Sequence, residues 1–181
     1  GVVPVPDERL EPLAKIVKTS TIIPATVEFV DIAGLVRGAS KGEGLGNQFL
    51  ANIRETDTVV QVVRCFEDEG IVHVEGTIDP RRDIETIQIE LALADLSAVE
   101  RRRERAQKTA KSGDKGARAE LDVLDKIQPT LEEGKPARVV ALTDDERAIA
   151  RGFFLLTMKQ TIYAANVDEA TLSENPLENP H

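Results

Sequence analysis

Residues 25–34 have the sequence ATVEFVDIAG, which indicates a strand followed by a turn. Its first six residues are rich in β-branched and aromatic side chains, which predicts a buried strand. Asp31 ends that strand, and Gly34 follows it within a turn. Ligands of open α/β sheets bind beyond the carboxyl ends of the strands, so Asp31 is a candidate ligand-binding residue. On residues 31–34 alone, an ordinary exit from a strand into a turn is the favoured interpretation.

Strand and helix patterns alternate on both sides of this stretch. Strand patterns occupy residues 2–5 and 160–166, and residues 58–66 form the strongest one, which is predicted to be buried on both faces. A helical pattern over residues 47–55 precedes that strand. The alternation predicts an α/β fold with a mostly parallel sheet.

A long helical hairpin interrupts the sheet pattern. Apolar residues spaced by three and four predict one helix over 83–111 and a second over 117–131, joined by a glycine-containing turn. Asp79, which precedes Pro80, is the predicted N-cap of the first helix. The predicted coiled-coil-like seam of that helix consists of Ile84, Ile87, Leu91, Ala94 and Ala98.

The composition excludes several classes of protein. The chain has 181 residues and a net charge of −9, which argues against a protein that coats nucleic acid or reads specific DNA. One cysteine and two histidines exclude a disulfide framework, a multi-cysteine zinc site and a histidine cage for a metal. No apolar run reaches the roughly 20 residues of a membrane span, so we expect no membrane partner. The predicted location is the cytoplasm.

Glycines concentrate in the segment after Asp31. Five of the 12 glycines lie within residues 34–46. Such clustering is typical of a loop that adopts positive φ angles or approaches a ligand closely. The alternative is a plain surface linker, which the position of the segment between a strand and a helix disfavours.

A second polar motif follows the strand pattern at 160–166. Asn166 and Glu169 are spaced like the residues that hold a purine base, where a carboxylate accepts hydrogen bonds from the base. The guanine-reading version of the motif is Asn-Lys-x-Asp. Here Val167 replaces the lysine and Glu169 replaces the aspartate, which argues against guanine. The alternative is a turn at the strand end with asparagine in its common role.

The combination of motifs closely resembles the YchF group of Obg-like ATPases. The motifs that carry the resemblance are DIAGLV (31–36), GASKGEGLGNQFL (38–50), IRET (53–56), VRCF (63–66), ELALADL (90–96) and ANVxE (165–169). The resemblance implies a P-loop GTPase-type α/β domain that carries an inserted antiparallel helical hairpin. It also implies a cytoplasmic, ribosome-associated enzyme that binds and hydrolyses ATP in preference to GTP with Mg²⁺.

The resemblance implies a role for each candidate site residue. Asp31 is the predicted Mg²⁺ ligand, and the backbone N–H of Gly34 would approach the γ-phosphate. The predicted adenine contacts are Asn166, Val167 and Glu169, and we expect Asp31 and Asn166 to meet at one edge of the sheet.

His73 is the candidate for orienting the attacking water. Ras-like enzymes use a glutamine directly after the Asp-x-x-Gly motif, but Leu35 occupies that position and cannot hydrogen-bond to water. A neutral imidazole can accept a proton from water near neutral pH. The alternative, a structural strand histidine that faces solvent, stays open.

The chain departs from the family pattern in one important respect. It contains no Gly-x-x-x-x-Gly-Lys-Ser phosphate-binding loop, which the family places before the position of Gly1, and no C-terminal ubiquitin-like TGS domain after His181. We therefore expect residues 1–181 alone to bind ATP weakly or not at all and to be inactive as a hydrolase. The alternative functions are a non-enzymatic scaffold that uses the hairpin and a GTP-specific Obg-type enzyme.

The change from strand to helix pattern near Thr77 predicts the domain organisation, and the resemblance implies the same architecture. Residues 1–76 form the first part of the nucleotide-binding domain, 77–153 the hairpin insertion, and 154–181 the remainder of the nucleotide-binding domain.

A basic run at 101–105 continues in Lys108, Lys111 and Lys115 toward the hairpin tip. Such a run is usually a solvated helix face, and the sharper interpretation is a contact surface for ribosomal RNA phosphates.

Overall fold

A computed structural model describes residues 1–32, 45–68, 70, 76–169 and 172. The chain divides into two compact units, Gly1–Ala33 and Gly34–His181, and each is described by itself below. Both units combine helix and strand, so the mixed α/β class predicted from the sequence is confirmed.

The first unit is a two-stranded ribbon with one helix. Strands β1 (Val2–Pro4) and β2 (Thr26–Glu28) are antiparallel, and helix α1 (Leu10–Val17) connects them. The prediction that the second strand is buried is wrong, because Val27 is 45% and Phe29 55% exposed. Among the described residues of this unit, β1 and β2 form a two-stranded sheet.

The second unit contains the longer elements. In chain order they are α2 (Leu45–Glu55), β3 (Thr58–Arg64), α3 (Pro80–Ala110), α4 (Lys115–Glu132), a first 3₁₀ turn (Ala137–Val139), α5 (Asp144–Arg151), a second 3₁₀ turn (Leu156–Met158) and β4 (Gln160–Asn166). Strands β3 and β4 are parallel and in register from Thr58 opposite Gln160 to Arg64 opposite Asn166.

One face of the β3–β4 pair packs against helix α3. Ile87 and Leu91 of that helix line a narrow gap against Val59 and Tyr163. On the opposite face Val62 is 68% exposed. The prediction that residues 58–66 are buried on both faces is therefore wrong. In the part of the chain that the structure describes, a helix covers only one face of these strands.

Helices α3 and α4 form the predicted antiparallel hairpin. The side chain of Asp79 caps α3 by accepting a hydrogen bond from the backbone N–H of Arg82 at 3.1 Å, as predicted. Asp114 caps α4 in the same way through the N–H of Ala117 at 2.7 Å. Gly113 has a φ of +90° in the turn between them, a conformation that side chains with a Cβ rarely adopt.

The hairpin packs through a different seam from the predicted one. Its core with the following elements consists of Ala92, Val99, Val123, Leu124, Ile127, Leu131, Ala137, Ala150, Phe153 and Leu155. Of the predicted seam, Ile87 and Leu91 face the β3–β4 pair instead of α4. Helix α3 is therefore apolar on two sides, and helical spacing alone does not indicate which side meets which neighbour.

Helix α5 begins at a capping box. Thr143 accepts a hydrogen bond from the N–H of Glu146 at 3.3 Å, and the Glu146 carboxylate accepts one from the N–H of Thr143 at 3.0 Å. The sequence TDDE at 143–146 predicts this arrangement. Over the ranges that the structure describes, none of the helices is both long and apolar enough to cross a lipid bilayer.

Candidate nucleotide-binding edge

The carboxyl ends of β3 and β4 lie side by side. Arg64 is opposite Asn166 in the parallel register, and the backbone N–H of Cys65 donates to the carbonyl of Asn166 at 2.7 Å. Strands that run in parallel deliver the residues after their ends to the same edge of a sheet. The segment that follows β4 and the loop that follows β3 therefore start from adjacent positions.

The segment after β4 presents its polar side chains to solvent. Asn166 and Glu169 are exposed, and Val167 is half-buried. An exposed amide and an exposed carboxylate three residues apart can both reach a ligand without first breaking a buried contact. The role of these three residues in holding a base stays a prediction.

The loop after β3 is held by Arg64. The guanidinium of Arg64 lies 4.7 Å from the centre of the Phe66 ring, and its Nε donates to the Phe66 carbonyl at 3.0 Å. Its Nη2 donates to the carbonyl of Asp68 at 3.2 Å. These contacts hold residues 66–68 at the carboxyl end of β3.

Cys65 lies beside this loop and is buried. Burial raises the pKa of its thiol, so the reactive thiolate is disfavoured. Its burial in an apolar strand context indicates that Cys65 is a structural residue.

Two predicted site residues, Gly34 and His73, lie outside the described residues. Asp31 is described and exposed, but it belongs to the first unit, whereas Asn166, Val167 and Glu169 belong to the second. The expectation that Asp31 and Asn166 share one edge stays a prediction.

Asp31 is chemically suited to Mg²⁺. Its carboxylate is a hard oxygen ligand, and it is exposed. Among the described residues, no three acidic, histidine or cysteine side chains are grouped as a metal cage. Mg²⁺ in nucleotide sites is commonly held by one or two side chains together with phosphate oxygens, and a single exposed aspartate fits that pattern.

A buried carboxylate, Asp95, ties α3 to the segment before β4. Its side chain is 1% exposed. Oδ1 accepts from the N–H of Leu156 at 2.8 Å, and Oδ2 accepts from the N–H and the hydroxyl of Thr157 at 2.7 and 2.6 Å. Burial raises the pKa of this carboxyl, and the bonds from Thr157 and Leu156 together with the charge of Arg54 oppose the rise. No role for Asp95 is predicted from the sequence, although an aspartate among leucines and alanines inside a helix is a visible signal.

A lysine holds the beginning of β4. Lys159 Nζ donates to the carbonyl of Arg54 at 3.0 Å and to the carbonyl of Thr56. Carbonyls at a helix end lack partners within the helix, so a lysine from elsewhere in the chain satisfies the C-terminus of α2. The amino ends of β3 and β4 are thereby held together, as their carboxyl ends are by Cys65 and Asn166.

The basic run on the hairpin divides into two sets. Arg102 binds the carboxylate of Glu120, donates to the carbonyl of Gly152 at 2.7 Å and lies 4.6 Å from the Phe153 ring centre. Arg103 likewise binds Gln128 at 2.6 Å and Asp125 at 2.8 Å. These two arginines hold the hairpin together. The exposed cations near the tip are Arg101, Arg105, Lys108, Lys111, Lys115 and Arg118.

Comparison with known proteins now defines the class. A model described as 50S ribosome-binding GTPase matches residues 11–100. Together with the parallel strands and the motif at their carboxyl edge, this match defines a domain of the P-loop GTPase class.

More specific relatives give the family. The chain is 60% identical to the ribosome-binding ATPase YchF of Haemophilus ducreyi and 57% identical to that of Escherichia coli O157:H7, in each case over 97% of this chain and 48% of the relative. The structure of the Schizosaccharomyces pombe YchF GTPase superposes with a TM-score of 0.76 and 38% identity, covering 94% of this chain and 47% of that one. The chain belongs to the YchF group of the Obg-like family, and it spans about half the length of these relatives.

Proposed function

We propose that the complete protein is a ribosome-associated, cytoplasmic nucleoside triphosphatase that uses ATP in preference to GTP and requires Mg²⁺. The observation that carries the proposal is the paired carboxyl edge of β3 and β4, where Asn166 and Glu169 are exposed and Cys65, the first residue after β3, is bonded to Asn166. The names of the relatives support nucleotide hydrolysis and ribosome binding, and they include both ATPase and GTPase.

The preference for adenine rests on the chemistry of Val167 and Glu169. Adenine presents one amino group as a donor at its recognition edge, whereas guanine presents a ring N–H and an amino group side by side. In the guanine-reading motif, the shorter aspartate accepts hydrogen bonds from both of these donors. The lysine of the same motif packs along the base. Glu169 is one methylene longer, and Val167 supplies only a short apolar contact.

The hydrolytic step requires groups on the phosphate side of the nucleotide. Asp31 would hold Mg²⁺, which supplies charge neutralisation on the phosphates when bound. The N–H of Gly34 would donate to the γ-phosphate, and His73 would orient and deprotonate the attacking water. Residues 1–181 contain no phosphate-binding loop motif, so complete activity needs residues outside this sequence.

Exchange of the base-recognition residues tests the nucleotide preference. In the complete protein, Val167→Lys combined with Glu169→Asp is expected to lower the ratio of kcat/KM for ATP to that for GTP by about 10-fold or more, because hydrogen bonds to charged groups contribute roughly 1.5–3 kcal/mol. Steady-state kinetics with both nucleotides measure the ratio. Glu100→Asp, an exposed change of the same type on α3, should leave it unchanged.

Two outcomes would contradict the adenine assignment. A wild-type protein that prefers GTP would favour the GTP-specific alternative. If the double exchange and Asn166→Ala both leave nucleotide binding unaltered, the base does not bind at this edge.

We further propose that the exposed cations at the hairpin tip contact ribosomal RNA. Residues 101–118 contain eight Lys or Arg and two Asp or Glu, in a chain whose net charge is −9. Arg101, Arg105 and Lys108 follow one another at helical spacings of four and three, so they lie on one side of α3, and all three are exposed. A local positive stripe on an acidic protein concentrates phosphate contacts at that stripe.

The salt dependence of ribosome binding tests this contact. Arg101→Gln, Arg105→Gln and Lys108→Gln together are expected to reduce the slope of log K against log salt by about 2–3, because each lost phosphate contact removes about 0.7–0.9. Sedimentation with purified ribosomes over a salt series measures the slope. The matched control replaces Lys15, Lys18 and Arg151, which are also exposed, by glutamine. Equal slopes for both triple variants would place the contact elsewhere.

A further inference from the structure

We propose that Asp95 and Thr157 are positioning residues for the nucleotide site, because they lock the turn from which β4 starts. The inference rests on the proposed site at Asn166 and Glu169. According to this inference, helix α3 helps to position the residues that would hold the base, and it acts through the second 3₁₀ turn and β4.

The first step concerns the hydrogen bonds between Asp95 and residues 156–157 of the second 3₁₀ turn. These bonds are buried, and we call them the Asp95 lock. Three donors from Leu156 and Thr157 converge on the Asp95 carboxylate at 2.6–2.8 Å, and Thr157 is itself 2% exposed. The Thr157 hydroxyl also accepts from the N–H of Ala137 at 3.0 Å. One carboxylate and one hydroxyl thus join α3 and both 3₁₀ turns. Hydrogen bonds to a buried ionised group are shorter and stronger than those between neutral groups.

The second step is that the locked turn sets the position of β4. Only Lys159 separates the second 3₁₀ turn from β4, and Lys159 is bonded to the carbonyls at the end of α2. From Gln160 the strand runs straight to Asn166 beside β3. Every residue of β4 is paired with one of β3, so a shift of its first residue along β3 changes the pairing of its last residue as well.

The third step is that a small shift would matter at the far end. A one-residue slip of a strand exchanges the side chains on its two faces. Asn166 is the last residue of β4, and its carbonyl is bonded to Cys65 in this register. Loosening the Asp95 lock therefore weakens the placement of Asn166 and Glu169 without removing any group that would touch the nucleotide.

Matched substitutions at Thr157 test the proposal in the complete protein. Thr157→Val removes the hydroxyl at nearly constant volume, whereas Thr157→Ser keeps it. We expect Thr157→Val to raise the KM for ATP at least fivefold with less than a twofold change in kcat, and Thr157→Ser to stay within twofold of wild type in both. Asp95→Asn, which offers one acceptor oxygen instead of two, is expected to resemble Thr157→Val. Ile127→Val, a fully buried hairpin change outside the lock, controls for general destabilisation.

Hydrogen exchange without nucleotide separates this inference from the proposed function. Thr157→Val should speed exchange of the β4 amides at least fivefold, and Ile127→Val should not. Faster exchange with no change in ATP kinetics, together with a neutral Asn166→Ala, would confirm the lock and overturn the site. If β4 exchange and the KM both match those of Ile127→Val, the positioning role is overturned, whatever base the site prefers.

Discussion

Replacement of His73 by Ala in the complete protein is expected to lower the kcat of ATP hydrolysis by about 100-fold or more, with little change in KM. A positioned general base contributes roughly 10²–10⁴ to the rate, and Leu35 leaves no side chain in the Ras-like position to orient water. The KM should hold because the imidazole would act on the water and not on the nucleotide. Single-turnover and steady-state phosphate release measure both constants.

The chain supplies its own control for this experiment. It contains one other histidine, His181, so His181→Ala makes the same chemical change outside the proposed mechanism. An unaltered kcat in His73→Ala would remove His73 from catalysis and favour its alternative interpretation as a structural strand residue.

Leu124→Ala is expected to reduce the free energy of unfolding by about 2–5 kcal/mol, the range for truncating a buried leucine. Leu124 is fully buried at the centre of the core that joins the hairpin to α5 and Phe153. Removing three side-chain carbons leaves a cavity that the helices on both sides cannot close without moving. Denaturant unfolding of the complete protein, followed by a probe on the hairpin, measures the change.

Val139→Ala is the control for this measurement, because Val139 is 62% exposed on the first 3₁₀ turn. It should change the free energy of unfolding by less than about 0.5 kcal/mol, as surface substitutions usually do. If Leu124→Ala were equally mild, the hairpin would not depend on the core described here.

Local signals in the sequence were sufficient for the helix ends. Asp79 before Pro80 and the Thr143–Glu146 pair each form the predicted cap, because capping is a contact between residues three apart and needs no knowledge of the tertiary fold. The parallel sheet and the helical hairpin could be predicted for a related reason. The spacing of apolar residues differs between strands and helices, and segments of the two kinds follow one another along the chain.

The neighbours of each face could not be predicted from periodicity. Ile87 and Leu91 fit a predicted seam with α4, but they face β3 and β4. Helix α3 packs against both the sheet and α4, and its apolar spacing does not indicate which residues meet which neighbour. In the same way, Arg102 lies in a basic run that is typical of a solvated surface. Its half-buried position against Glu120 and Phe153 depends on where α4 and α5 pack.

The candidate site was predictable only where a motif ends a strand. Asn166 ends β4 and Glu169 lies three residues further on, so the strand assignment placed them at an edge. Asp95 went unrecognised because its partners lie 61 and 62 residues further along the chain. No local pattern encodes a contact at that separation.

That separation has a consequence for synthesis. As the nascent chain leaves the exit tunnel, Asp95 emerges about 60 residues before Leu156 and Thr157, so α3 forms while its carboxylate is still solvated. Dehydration of that charge must await the arrival of the second 3₁₀ turn. The contact between the first hairpin helix and the turn before β4 therefore forms only after both helices of the hairpin have been synthesised.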